Sequence, residues 1–502
     1  MTIEYEARLH HAFHFLNIAA TADRLYEKGG DRLRRALQLF AAEWVNISAA
    51  QSWACAHIEE EGAAKLCSDY PDYAANLLDL RVSPQERIRW RKQGLVAARL
   101  LKDRKAEATH LFNLGNAYAQ IGKLQMAEDS FKESLVFYRR FKDRSSEGKA
   151  IGGLAICHEL AGKPRLAIRA YRQALEIARQ LGEEQSEGEL LGNLGQAHLD
   201  VGQAQSAIKY FRKSLDKARK TKDRVMEGNA LGNLGGAFAL TGQVRQAIKY
   251  QEQELQISRE LGNRRSEGSA LSDLGTSRYL LGETREAVEL LKTALSILRE
   301  TNDKHNESNT LSNLGNAYFA LKKFDRAIEC FEEKAKLAKE IGDQKEEGTA
   351  LAGLGGVHLS LDHPRQALKF LRRALALARK AENIYGEEVI LGNMGIAYAD
   401  LGYPDRAFKY YEQKLKITRH IGDRDGEATA LYNMGVEEAK RGQLAKAIDY
   451  GDEALSIFEE LEASDIGKVR DKLMQWREMA QSADRRRKRS RSKRVNARIS
   501  KR

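Results

Sequence analysis

The stretch ALGNLGGAFALTG occupies residues 230–242. In register with it, LLGNLGQAHLDVG stands forty residues earlier (190–202) and LSNLGNAYFALKK eighty later (311–323). A glycine in such a phrase has two readings: a turn that cradles phosphate, or a helix built the same way many times. A phosphate loop needs a strand before it and glycines free in a turn, and no G-x-x-x-x-G-K-[ST] occurs in the chain. Stepping by forty from Gly115 gives Ala155, Gly195, Gly235, Gly275, Gly315, Gly355, Gly395 and Gly435, with no insertion anywhere. The residue before each is Leu, or Met at 394 and 434, and a small Ala recurs at 127, 167, 207 and onward to 447. Nine units therefore run from about 107 to 466.

Each unit reads as two helices. In 227–240, Ala230, Leu231, Leu234, Ala237 and Phe238 fall three or four apart on one helical stripe. After the break at TGQ, Val244, Ala247, Ile248, Gln251 and Leu255 make a second stripe, and GNRRSEG ends it with a glycine suited to a left-handed cap. The next unit opens on Asp or Asn at 143, 223, 263, 303, 343, 383 and 423, good N-cap residues from which only Glu183 departs. Four residues on, Glu recurs at 147, 187, 227, 267, 307, 347, 387 and 427, where a carboxylate complements the helix dipole. The Gly of Asn-Leu-Gly thus lies inside the first helix. There it costs about 1 kcal/mol relative to Ala and implies close approach of a neighbour, with the Ala at 127 and its equivalents the expected partner.

Leu-Gly, a Tyr three residues on (Tyr118, Tyr318, Tyr398), the Ala, and an aromatic four after it (Phe131, Tyr171, Phe211, Phe331, Tyr411) resemble the tetratricopeptide repeat. The usual unit has about 34 residues. The longer unit here is similar to those of the Leu-Gly-Asn repeat polarity adaptors and of kinesin light chain. The resemblance implies an all-α, right-handed superhelical solenoid whose concave groove binds a protein segment. Ala155, Arg278, Glu438 and GVEEAKRG (435–442) depart from the pattern, so the last unit is expected to pack less well.

Residues 1–86 read as a helical N-terminal domain and 87–106 as a half-repeat, with Leu95, Asp103 and Glu107 in register with Leu135, Asp143 and Glu147. The phrases LFAAEWVNISAAQSWA and LLDLRVSPQERIRW resemble the helical spacer before the repeats of bacterial STAND (NB-ARC-type) signalling ATPases. The nucleotide switch of those proteins lies upstream, so the resemblance implies a bacterial signalling sensor without its motor, or one detached from it. After the array, Val469, Leu473, Trp476, Met479 and Ala480 share one face of a capping helix, 467–483.

Only five prolines and 31% charged residues suit a helical array. Four scattered cysteines make neither a zinc site nor a disulfide framework, and no apolar window of about eighteen residues spans a membrane. The N-terminus reads as no signal peptide, and a reducing cytoplasm is the expected location. The net charge of +12 is concentrated in 484–502, which holds eleven Lys/Arg and one Asp and leaves +2 for the other 483 residues. Lacking aromatics, this tail is expected to be disordered. It offers Arg485, Arg486, Arg487, Lys488, Arg489, Arg491, Lys493 and Arg494 to an anionic partner: nucleic acid, an anionic surface or an acidic protein.

No residue set reads as an enzyme, a metal site or a cofactor site. His10, His11 and His14 lack the Glu of H-E-x-x-H and a third ligand, and are expected to be partly buried. Cys157–His158 looks like a nucleophile with its base, but Cys157 falls in the Ala slot of the repeat and His158, with His198 and His358, in the aromatic slot. The residue before Leu-Gly is different. Asn113, Asn193, Asn233, Asp273, Asn313, Asn393 and Asn433 hold it, with Gly153 and Gly353 as the exceptions. Asn disfavours helix interiors, while its carboxamide can pair with any peptide backbone. In tetratricopeptide arrays this position faces the groove, so these residues, with Asn116 and Asn316, are the expected peptide contacts. Bonding of each Asn to the adjacent helix is the alternative. The nearby groove positions Lys149, Glu189, Asn229, Ser269, Asn309, Gln196 and Thr276 are mixed in charge and suit a partner segment of modest charge. A binding scaffold is thus expected, with a nucleic-acid-associated regulator and a non-catalytic subunit of a signalling or defence enzyme as alternatives.

Overall fold

The computed structural model describes residues 3–27, 31–463 and 466–499, excluding the side chains at 27, 31, 33, 79, 484 and 486–499. Among the described residues every regular element is an α-helix, and the chain divides into two compact units, 1–257 and 258–502.

The first unit opens with α1 (Ile3–Glu27), α2 (Asp31–Ala56), α3 (Glu61–Tyr73) and α4 (Ala75–Arg81), then α5 (Pro84–Leu100). Antiparallel pairs follow: α6 (Arg104–Gln120) with α7 (Leu124–Phe141), α8 (Arg144–Leu160) with α9 (Pro164–Leu181), α10 (Glu184–Asp200) with α11 (Ala204–Thr221), and α12 (Arg224–Leu240) with α13 (Val244–Glu260), in whose last turn the division falls. The second unit continues with α14 (Arg264–Leu280) and α15 (Thr284–Glu300), α16 (Lys304–Ala320) and α17 (Phe324–Ile341), and α18 (Gln344–Ser360) and α19 (Pro364–Lys380). It ends with α20 (Ile384–Asp400) and α21 (Pro404–Ile421), α22 (Arg424–Lys440) and α23 (Leu444–Glu460), and α24 (Ile466–Ile499). The helix pairs keep the forty-residue register, their first members (A) starting at 104, 144, 184 and so on to 424.

The caps explain this register. Asp103, Asp143, Asp223, Asn263, Asp303, Asp343, Asn383 and Asp423 each accept a hydrogen bond from the backbone N–H three residues on, satisfying a donor the helix leaves open. Glu183 makes no such bond. It accepts one from Ser145 Oγ instead. Gly262 ends its helix with φ +64°, the left-handed conformation that glycine adopts without a Cβ penalty.

The interior glycine has a reason other than the expected one. A Cβ on Gly115 would lie 2.7 Å from the ring of Phe131, and one on Gly153 would lie 2.5 Å from the same ring. At these positions the aromatic of the second helix (B) demands the glycine; at Gly235, Gly275 and Gly435 the carbonyl of the expected Ala also approaches, at 3.4, 3.3 and 3.1 Å. The ring sits between its own A helix and the next, so the aromatic knits successive repeats together. Phe331 lies likewise between Gly315 and Gly353.

Within each unit, successive A helices touch (α6 with α8, α10 with α12, α14 with α16, α16 with α18, α18 with α20), while successive B helices approach each other less closely. The A helices therefore line the inner side of each unit.

α5 belongs to two cores. Trp90 is buried with Phe40, Ile47, Tyr70 and Leu77 of the N-terminal helices and stacks on Trp44 at 5.6 Å, whereas Ile88 and Leu95 join the core of the first repeat. At the other end Val469, Leu473 and Trp476 of α24 are buried. Met479, expected on the same face, is exposed, while Ala480 beside it is half-buried. α24 also continues to Ile499, through a segment expected to be disordered. Arg and Lys are good helix formers, and the folded cap supplies the nucleus that an isolated helix lacks. In the last repeat Glu437 and Glu438 are buried but paired with Lys440 (2.7 Å) and Arg441 (3.2 Å).

Candidate functional site

The groove residues of each unit come from the inner face of its A helices. Asn113 is half-buried, and its Nδ2 donates to Asp72 Oδ1 at 3.3 Å. Asn313 Nδ2 donates to Thr276 Oγ1 at 2.8 Å. These two carboxamides are spent on neighbouring helices, as the structural alternative expected. Asn193, Asn393 and Asn433 are half-buried and Asn233 is exposed, and among the described residues none makes a side-chain hydrogen bond. Asn116 and Asn316, one helical step on, are likewise open to solvent without a bonded partner among those residues. Asp273 is exposed, yet protein crowds it on the inner face, and this desolvation pushes its carboxyl up to about 6.

Beneath the A helices the floor of the first unit changes from repeat to repeat. Ser134, Ala174, Ser214 and Glu254 occupy equivalent positions. Ser214 Oγ donates to Gly188 O at 2.8 Å, and the Glu254 carboxylate stands where a Cβ on Gly232 would be, 2.7 Å away. At Ala174 nothing rises into the groove. A cavity of 270 Å³ opens there between α6, α8 and α10.

Sequence reasoning missed a lattice that fixes the spacing of the A helices. The Glu in the first turn of most A helices receives an Arg from the preceding B helix; at Lys339 the Arg is missing, and Glu347 pairs instead with Arg373 of the following B helix. Arg99 Nε donates to Glu107 at 2.7 Å, Arg139 to Glu147 at 3.0 Å, Arg219 to Glu227 at 3.0 Å, and Arg419 to Glu427 at 2.7 Å. A second Arg, at 104, 144, 224 or 424, holds the other carboxylate oxygen at 2.5–2.7 Å. Burial opposes ionisation of these carboxyls, but the paired guanidiniums outweigh it and hold Glu107, Glu147, Glu227 and Glu427 below the usual range. The signal was present in the sequence, since Arg recurs at 99, 139, 179, 219, 259, 299, 379 and 419.

The apparent nucleophiles are structural. Cys157 is 2% exposed, and burial pushes its thiol up to about 11. In the aromatic slot His198 stacks on Tyr210, Phe238 on Tyr250, His358 on Phe370 and Tyr398 on Tyr410, all at 5.1–5.3 Å. Ser68 Oγ meets His110 Nε2 at 3.0 Å, with Asp72 3.6 Å from Nδ1, the connectivity of a hydrolytic triad. Ser68 and His110 are sealed, at 1% and 0% exposure, so no substrate reaches the hydroxyl. Burial, aided by Arg91, holds His110 down to about 4. This cluster joins the N-terminal helices to the first repeat. His10, His11 and His14 are exposed rather than partly buried, because the core side of α1 is carried by Ala12, Leu16 and Ala19. Among the described residues no His/Cys/Asp/Glu group is placed to hold a metal, and no helix is long and apolar enough to cross a membrane. Of the basic residues proposed to meet anions, Arg485 is exposed, and the side chains of Arg486, Arg487, Lys488, Arg489, Arg491, Lys493 and Arg494 lie outside the described residues.

Models of the tetratricopeptide repeat match residues 110–135, 146–220, 226–300, 306–380 and 387–460. The chain is a tetratricopeptide-repeat protein. No curated protein matches it. Among solved structures, a tetratricopeptide-like likeness extends to a Rap protein complexed with Competence and Sporulation Factor, at 15% identity and TM-score 0.50, over 72% of this chain and 99% of that one. The apo quorum sensor NprR of B. thuringiensis aligns at 13% identity and TM-score 0.49, over 67% of this chain and all of that one. A STAND protein with a tetratricopeptide repeat sensor from Pyrococcus horikoshii aligns at 15% identity and TM-score 0.44, over 81% of this chain and 54% of that one. At these identities the likeness is one of fold alone.

Proposed function

We propose that this tetratricopeptide-repeat protein is a non-catalytic scaffold that holds an extended or helical segment of another protein against the inner face of its A helices. The observation that carries this reading is the set of carboxamides at Asn193 and Asn233 in one unit and Asn393 and Asn433 in the other. They repeat at one fixed interval, stay accessible, and make no side-chain hydrogen bond among the described residues. Each supplies a donor and an acceptor, which suits a peptide backbone of any sequence. Asn is a poor helix former, so its recurrence at this position is a cost that binding would offset.

The test is affinity capture on the full chain, read by mass spectrometry and repeated with the Asn193→Ala/Asn233→Ala chain. Loss of a specific partner by a variant that melts normally supports the reading. Equal capture by both chains refutes it. A second reading rests on the net +10 of residues 484–502: the basic stretch would add salt-sensitive attraction to an anionic partner, nucleic acid included, without sequence preference.

A further inference from the structure

The inner face of the first unit is interrupted at the 270 Å³ cavity. Its floor is Ala174, Ile177 and Ala178, all buried, and its walls are Phe112, Ile156 and Leu190. Ile156 is 40% exposed, so apolar surface faces the groove with no side chain covering it. Asn116 and Asn193 stand at the edges, with Lys149 and Glu189 exposed on the rim.

Two glycines make the opening, for different reasons. Gly153 is required by the Phe131 ring beneath it. Gly152 is required by nothing: a Cβ there would meet only Leu190 Cδ2, at 3.8 Å. Gly in a helix interior costs about 1 kcal/mol relative to Ala, and here no packing contact explains that cost. At the equivalent glycines the space is taken by the protein itself, by Ser214 Oγ 3.5 Å from a Cβ on Gly192 and by Glu254 at Gly232. The volume is slightly below the range of small-molecule sites, about 300–1,000 Å³, and the walls offer no cluster of converging charges. Apolar walls, carboxamides at the edge and charges of both signs on the rim (Lys149 with Glu183 and Glu189) match one residue of a polypeptide better than a free metabolite.

We propose that this cavity is a specificity subsite. It receives one aliphatic or aromatic side chain of an extended peptide whose backbone is held by Asn116 and Asn193, with an acidic neighbour toward Lys149 and a basic neighbour toward Glu189. The inference rests on the scaffold reading above and adds to it the chemistry of the segment recognised.

The test is selection of a phage-displayed random nine-residue library on the full chain, on Gly152→Leu and on Gly152→Ala. The Leu side chain projects into the cavity from a position where its Cβ meets no close contact, so this variant is expected to fold and to melt no lower than wild type. Gly152→Ala leaves most of the cavity open and controls for the backbone. Wild type and Gly152→Ala are expected to enrich peptides with one apolar residue between an acid and a base. Gly152→Leu is expected to lose that preference and to bind the best selected peptide about ten- to a hundredfold more weakly by fluorescence anisotropy, the worth of one buried side chain. An enriched motif without the apolar position, or the same motif and affinity with Gly152→Leu, overturns the subsite while leaving the groove. No enrichment by any of the three chains overturns the groove reading and the subsite with it.

Discussion

Replacing Glu147 by Gln tests whether the arginine lattice holds the repeats in register. The Glu147 side chain is 7% exposed, with Oε1 accepting from Arg139 Nε at 3.0 Å and Oε2 from Arg144 Nη1 at 2.5 Å. A glutamine keeps the shape but turns one acceptor into a donor that faces an arginine, and it leaves the other arginine bonded to a neutral acceptor, a weaker bond than one between two charges. Hydrogen bonds to charged groups contribute about 1.5–3 kcal/mol and neutral ones about 0.5–1.5. Losing one and weakening the other comes to about 3 kcal/mol. Both arginines are half exposed and recover part of that from water, leaving about 2 kcal/mol. In a repeat array such a loss acts on one interface, so the assay is hydrogen exchange read by peptide. Amides of α7 and α8 are expected to lose about thirtyfold in protection, with α1–α4 unchanged. Glu329→Gln, at an exposed pair with Arg326, is the control and is expected to cost under about 0.5 kcal/mol. Equal effects of the two substitutions, or a protection loss spread evenly over the chain, would refute the lattice. The same carboxylates set an acid limit. Their pKa values are depressed by folding, so their stabilisation is complete above the ordinary glutamate value of about 4.3 and is lost as the pH falls through the lowered values. Acid unfolding followed by circular dichroism is therefore expected below about pH 4, and Glu147→Gln should shrink the pH dependence.

Asn193→Ala with Asn233→Ala is expected to weaken peptide binding by about 1–3 kcal/mol, from two backbone hydrogen bonds, while the melting temperature holds or rises. A drop in melting at unchanged affinity would assign both residues to structure, as for Asn313. Trp476→Ala removes a ring packed over Gly435 and Gly451 and is expected to cost about 3–5 kcal/mol, confined to α22–α24 in hydrogen exchange. Truncation before residue 484 takes the formal charge from +12 to +2. It is expected to leave melting and groove binding unchanged and to abolish any steeply salt-dependent anisotropy signal on labelled DNA, whereas equal signals from both chains would move that binding into the folded body.

The array was legible because its determinants are local and repeat. A cap such as Asp143, an apolar stripe and a glycine in fixed register each report on a few neighbouring residues. What sequence reasoning missed depends on the third dimension. Phe131 rather than Ala127 proved to be the partner of Gly115, since the ring reaches across to a helix of the next repeat. The Glu column was visible, but its Arg partners lie eight residues back on another helix, and only the fold brings them together. The ladder's behaviour depended on context as well: Asn113 and Asn313 meet a neighbour, while Asn193, Asn233, Asn393 and Asn433 make no side-chain bond among the described residues. The subsite at Gly152 was hidden for a simpler reason, since a glycine shows in sequence whether or not something fills the space beside it.

Each arginine link at the eight-residue offset takes its Arg from one repeat and its Glu from the successor, with Lys339 before Glu347 the exception. A cut away from Lys339 and another one repeat further on would remove a complete unit and leave the surviving Arg and Glu facing each other as before. The length of such a chain is thus free to drift by whole repeats through unequal recombination of its gene, without a new interface having to be invented each time. What drift would change is the footprint: how many residues of a partner are read, and where along that segment the gap at Gly152 falls.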